Sequence, residues 1–277
     1  MRAISVIRET VAAFGRDNAT LLAASIAYYT LLSIFPMILG LLAIAGVVFT
    51  DPATRDRLVR GIAAVFPGSE NLILATINQV VQGRGPAGIV ATLGLLWSAS
   101  GVFSTINVAL DTIWKVPRRR NLIESALLAL GLVLAVGLAF VVSLLLSTAL
   151  TIATSLDLPL LGVRLSDVRL LLPLLSVALP FCVTFAVLAL IYRYVPSRRL
   201  DWRVVWPGAL LASVLFEMSK ELFVWYLSRF ADLNAVYGSV GAVIALLTWA
   251  YYAAIVLLLG AEFQATLARR RRETEMG

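Results

Sequence analysis

Three ionisable residues stand in an otherwise apolar stretch. Glu217, Lys220 and Glu221 are spaced i, i+3 and i+4 within the run Val204–Ser228, so a helix places them on one face. Ser213, four residues before Glu217, extends the polar stripe. Counted from Val204, Glu217 lies about 20 Å into the helix at ~1.5 Å per residue, too deep to snorkel easily. Two readings fit: an internal salt bridge that fixes packing, or a substrate or ion pathway, because charges inside a membrane face the bundle interior or a wet cavity. A second stripe, Ser100, Ser104, Asn107 and Asp111, repeats at three or four residues. Interhelical hydrogen bonding is its structural expectation and a transport role its functional one. Glu262, with Gln264 nearby, precedes Arg269 by about two turns and either joins the pathway or meets a basic cluster at the membrane interface.

The rest of the inventory argues against enzyme chemistry. The chain has no histidine and one cysteine, which removes the usual general base, the commonest transition-metal ligand, an internal disulfide and cysteine-rich zinc sites. Neither a GxxxxGK loop nor HExxH occurs. The carboxylates Asp111, Glu124, Asp201 and Glu262 are scattered, which is weak support for metal-dependent hydrolysis. A non-enzymatic protein without metal or cofactor is expected. Cys182, among apolar neighbours, is read as core.

Positioning such residues requires long apolar helices. Of 277 residues, 60% are hydrophobic and 14% charged, against roughly 45–50% and 25% in soluble domains. A span needs about 20 apolar residues. Six runs meet that length: Ala19–Phe49, Ala87–Trp114, Leu122–Ser155, Val168–Tyr192, Val204–Ser228 and Gly238–Leu267. The fold expected is all-α, a polytopic six-transmembrane-helix bundle (residues 19–268), preceded by an interfacial helix (1–18) and followed by a basic tail (269–277). Ile4, Ile7, Val11 and Phe14 recur at helical spacing in that first segment, and its charges do not suit a cleaved signal.

Charge placement sets the orientation. Lys115 with Arg118–Arg120, Arg193 with Arg198, Arg199 and Arg203, Arg269–Arg272, and Arg2, Arg8 and Arg16 all fall on one side of a six-span bundle. That side is the cytoplasm by the positive-inside rule, so both termini are expected there. The net charge of +7 is then a topology signal next to anionic headgroups, and no nucleic-acid partner is expected. The first outer loop, 51–86, carries two short amphipathic helices, with Leu58, Ile62 and Phe66 on one face and Ile73, Ile77 and Val80 on another, broken at Pro67-Gly68-Ser69. It serves as a lid or as a docking site for an envelope partner protein.

Other features are packing signals first. Gly131, Ala135, Ala139, Ser143, Ser147, Thr151 and Ser155 recur every fourth residue in the third span, a seam for close packing or homo-oligomer formation. Pro36, Pro173, Pro180 and Pro207 mark expected kinks or local unwinding. Trp114, Trp202, Trp206 and Trp225 lie toward span ends, where indoles prefer the interface, while Trp97 and Trp249 are placed between helices.

Four stretches resemble the YihY/BrkB family of bacterial inner-membrane proteins: AASIAYYTLLSIFPMILGLLAIAG (Ala23–Gly46), FSTINVALDTIWKVPRRR (Phe103–Arg120), IYRYVPSRRLDWRVVWPGALLA (Ile191–Ala212) and YGSVGAVIALLTWAYYAAIVLLLGAEF (Tyr237–Phe263). The resemblance implies six spans and an envelope-related role. Members have been called ribonuclease BN, serum-resistance or virulence factors, and export of solutes or movement of lipids has been suggested for the family. No catalytic motif carries over. The matching positions are Tyr28, Tyr29 and Pro36, then Asn107 and Asp111, then Tyr194, Pro196 and Trp202–Pro207, and last Tyr237, Gly238, Gly241 and Glu262. The leading expectation is an inner-membrane transporter or exporter of a lipid, amphiphile or small solute, using a cavity bordered by the second, fifth and sixth spans. Its pathway candidates are Glu217, Lys220, Glu221, Asn107, Asp111, Glu262, Tyr28, Tyr29 and Tyr237, and membrane lipids are its first partners. A non-transporting envelope scaffold docking through 51–86 is the alternative, and a ribonuclease the weakest reading.

Overall fold

The computed structural model describes residues 2–48, 101–117, 124, 128, 131, 165–230 and 240–276. Among them every regular element is helical: α1 (Arg2–Arg16), α2 (Ala19–Val48), α3 (Gly101–Ile113), α4 (Leu165–Tyr194), α5 (Trp202–Phe230) and α6 (Val240–Met276). These coincide with the expected first, fourth and fifth runs and with the end of the second, while α6 covers the sixth and continues as helix through residues 269–276, expected as a tail. Of the third run only Glu124, Leu128 and Gly131 are described, all helical; the rest of that run and of its small-residue seam, the 51–86 helices and Trp97 lie outside the described residues. Within Val243–Thr274 of α6 an 18-residue stretch reaches a mean hydropathy of 2.2, long and apolar enough to cross a membrane.

The helices are continuous through Pro36, Pro173, Pro180 and Pro207, so the local unwinding expected at these prolines does not occur. Each proline withdraws a single N–H, and the hydrogen bonds on either side carry the helix through.

Two reversals use non-glycine residues in the left-handed region. Asn18, at φ 51°, separates α1 from α2, a conformation that asparagine tolerates better than most residues, and its carbonyl accepts from Leu21 and Leu22 N–H. Lys115, at φ 52°, closes α3; Val116 N–H donates to the Asp111 carbonyl and Lys115 N–H to that of Thr112, satisfying carbonyls that the helix end leaves open.

Helix α6 is the hub. It packs against α2, α5 and α1, and α5 in turn packs against α4. The core is rich in small residues, with Ala19, Ala23, Ala109, Ala209, Ala212, Ala261 and Ala265 buried beside Leu110, Ile113, Tyr192, Val205 and Leu258. Small side chains let membrane helices approach closely, where dispersion replaces the absent hydrophobic drive. The tightest approach is the crossing of α5 and α6. A Cβ on Gly208 would lie 2.6 Å from the Gly260 carbonyl, and one on Gly260 would lie 2.7 Å from Ala212 Cβ. Tyr192, fully buried, locks α4 to the same place by donating its hydroxyl to the Leu257 carbonyl at 2.7 Å.

Candidate functional site

The polar residues of the bundle fall into two groups. The first gathers where the arginines concentrate, at the C-terminal end of α6. Asn107 and Asp111, one helical turn apart on α3, reach the turn between α4 and α5. Asn107 Nδ2 donates to the Val195 carbonyl at 2.5 Å. Asp111 accepts from Ser197 N–H at 2.8 Å and from Ser197 Oγ at 2.6 Å. Both side chains are buried, so these bonds answer a desolvation cost as well as fixing the turn. Arg193 completes it by donating to the Leu200 carbonyl and stacking on Trp202 at 5.0 Å. Asp201 then stands at the N-cap of α5, a position that aspartate favours, where its carbonyl accepts from Val204 and Val205 N–H.

Beside this turn, Asp17 pairs with Lys115, tying the two left-handed reversals together. Glu262 is fully buried and faces Asp17, yet no hydrogen bond of normal geometry joins them, and both Glu262 oxygens lack a partner among the described residues. Its cation is Arg269, 3.9 Å away. Gln264, also fully buried, has neither amide atom satisfied among the described residues and lies against Gly208.

The second group is on α5. Lys220 pairs with Glu217 on its own helix, and Glu217 also accepts from Thr184 Oγ1 of α4 at 2.8 Å. The pair is not sealed: the side chains are 38% and 23% exposed, respectively, and Glu221 is exposed. On the opposite side of α5, Ser219, Leu222, Phe223, Trp225 and Tyr226 meet Thr248, Trp249 and Tyr252 of α6 around a cavity of about 400 Å³. Trp249 forms its inner wall, with ring centroids 5.5 Å from Phe216 and 5.1 Å from Phe223.

The structure therefore separates the expected site residues. Glu217, Lys220 and Glu221 stay together on α5 but do not line the cavity, which is bounded by α5 and α6. Asn107, Asp111 and Glu262 belong to the other end. Tyr28 and Tyr29 are exposed and pack edge to face at 5.6 Å. Tyr237 lies outside the described residues. Cys182 is exposed, which corrects its reading as core: apolar neighbours on a membrane helix do not distinguish a packed face from one turned to lipid. Asp17, Tyr192 and Gln264 were not singled out as site residues. The signal for Asp17 was its place one residue before a left-handed asparagine, and for the crossing it was the spacing Gly208-x3-Ala212.

A family profile described as Virulence factor BrkB matches residues 10–277. A UPF0761 membrane protein of Pelodictyon phaeoclathratiforme is 32% identical over 254 residues, which are 90% of this chain and 57% of that protein. One from Vibrio vulnificus is 28% identical over 98% of this chain and 86% of its own. A ribonuclease-like protein, YfkH of Bacillus subtilis, is 28% identical over 97% of both chains. The chain thus spans little more than half of the first relative and nearly all of the last. No solved structure matches it.

Proposed function

Because the chain belongs to the BrkB family of membrane proteins, we propose that it carries a lipid, another amphiphile or a small solute across the bacterial inner membrane, in the service of the cell envelope. It does so as a six-span bundle with both termini in the cytoplasm. The observation that carries this reading is the open charged face of α5. Glu221 is exposed mid-helix and the paired Lys220 beside it is partly exposed, and hydrocarbon does not sustain charges at such depth, whereas water in a path does. The aromatic cavity on the other side of the helix supports an amphiphile over a bare ion, since its volume and lining suit an apolar tail or ring.

Nuclease activity draws no comparable support. Among the described residues no three carboxylates or thiols gather at metal-binding distance, and Asp111 is occupied with Ser197.

The test is flux in proteoliposomes over candidate lipids and solutes. Joint Glu217→Gln and Glu221→Gln substitution is expected to lower transport about tenfold, near 1.4 kcal/mol in barrier terms, with the thermal midpoint in detergent retained. Full flux in a normally folded variant would remove the charged face from the mechanism.

A further inference from the structure

Helix α1 is amphipathic, and although Phe14 packs against the core, the rest of its apolar edge does not face the bundle. At about 100° per residue, Ile4, Ile7 and Val11 fall within an arc of roughly 60°, and they are 74%, 59% and 59% exposed. The residues that α1 buries, Thr10 and Ala13, lie about a third of a turn away. An isolated amphipathic helix packing on a protein buries its apolar stripe; here the protein holds the helix by a different side. The hold is specific. Arg270 of the α6 extension hydrogen-bonds the Glu9 carboxylate with both Nε and Nη2, and donates through Nη1 to Ser5 Oγ at 2.9 Å, so the rotation of α1 about its axis is set by the chain itself. Arg8 is exposed beside the stripe, and Arg16, Arg203, Arg271 and Arg272 are exposed at the same end of the molecule. Leu21, just past the Asn18 reversal, adds a further exposed apolar residue.

We propose that the outward edge of α1 is a seat for anionic lipid headgroups, with Ile4, Ile7 and Val11 inserted among the upper acyl carbons and Arg8 on a lipid phosphate. Charge complementarity selects this occupant: an apolar stripe edged by arginine matches the boundary between acyl chains and anionic headgroups, whereas an uncharged protein surface would leave Arg8 without a counterpart. The seat depends on the membrane character of the chain and not on whether it transports.

The experiment uses the full chain with Cys182→Ser, a fluorophore on Ile7→Cys or on Ala12→Cys, which is exposed on another side of α1, and nanodiscs of phosphatidylcholine alone or mixed with phosphatidylglycerol. The probe at position 7 is expected to resist aqueous iodide several-fold better than the probe at position 12 and to be quenched by shallow doxyl lipids. Phosphatidylglycerol should strengthen that quenching, and Arg8→Gln should remove the lipid dependence. Equal iodide quenching at the two positions would overturn the proposal. So would protection from iodide without doxyl quenching, the mark of a second copy or another protein covering α1, and so would equal depth in both lipid mixtures.

Discussion

The Asn107–Asp111 cluster at the basic end of the bundle and the charged group in the middle of α5 treat their polar side chains oppositely. At the basic end Asn107 and Asp111 are buried and each spends its bonds on one backbone turn. On α5 the Glu217–Lys220 pair is held, among the described residues, by Thr184 on one side and is partly exposed beside Glu221. Closed polar groups define a shape, since each bond fixes where a neighbouring segment must lie. Open ones retain capacity to meet water or substrate. Under the proposed function, the contrast gives the first region a structural role and leaves the second available for traffic.

The comparison breaks first at the crossing of α5 and α6, which fastens the basic end. Gly260→Leu should prevent assembly, and Gly260→Ala should cost about 1–3 kcal/mol through overpacking against Ala212 and the Gly208 carbonyl; thermal unfolding in detergent reads both. Next, Asp111→Ala leaves the part-buried Ser197 N–H and hydroxyl without their acceptor, a loss of about 1–3 kcal/mol. Glu217→Gln should cost less than about 1 kcal/mol, because the open pair contributes little, while impairing flux. Similar stability losses for the two substitutions would erase the distinction between the regions.

The smallest effect concerns pH. Arg270 hydrogen-bonds Glu9 and holds its carboxyl below the ordinary value of about 4.5. A depressed carboxyl contributes stability that is fully present above its unfolded value and is lost as pH falls through the lower folded value. Acidification below about 4.5 should therefore loosen α1 from the α6 extension, seen as a change in a fluorophore on α1. Glu9→Gln should show no such step.

Much of this was legible in the residues. Hydrophobic run lengths located α2, α4, α5 and the start of α6 within a few positions, because a membrane helix carries its length in its composition; the end of α6, nine residues beyond Leu267, was not legible because the helix continues through charged residues. The three- and four-residue spacing of Asn107 and Asp111 marked one face of α3. What that face touches was not legible, because the Val195–Ser197 turn is 86 or more residues away in sequence. The aromatic cavity was hidden for the same reason: Trp225 and Trp249 read individually as a span-end indole and a packing indole, and their convergence depends on the register of α5 against α6. Burial of Glu262 was also invisible, since its spacing from Arg269 fits an exposed interfacial pair equally well.

The central claim is that the charged face of α5 meets water while the apolar surface elsewhere meets lipid, and the chain carries its own control in the exposed Cys182 of α4. The direct measurement is the labelling rate, in proteoliposomes, of Glu221→Cys in a Cys182→Ser chain against that of native Cys182, using a membrane-impermeant maleimide applied to both faces. Thiol reactivity follows aqueous access, so the account predicts labelling at position 221 about tenfold faster or more. Equally slow labelling at both positions would contradict it.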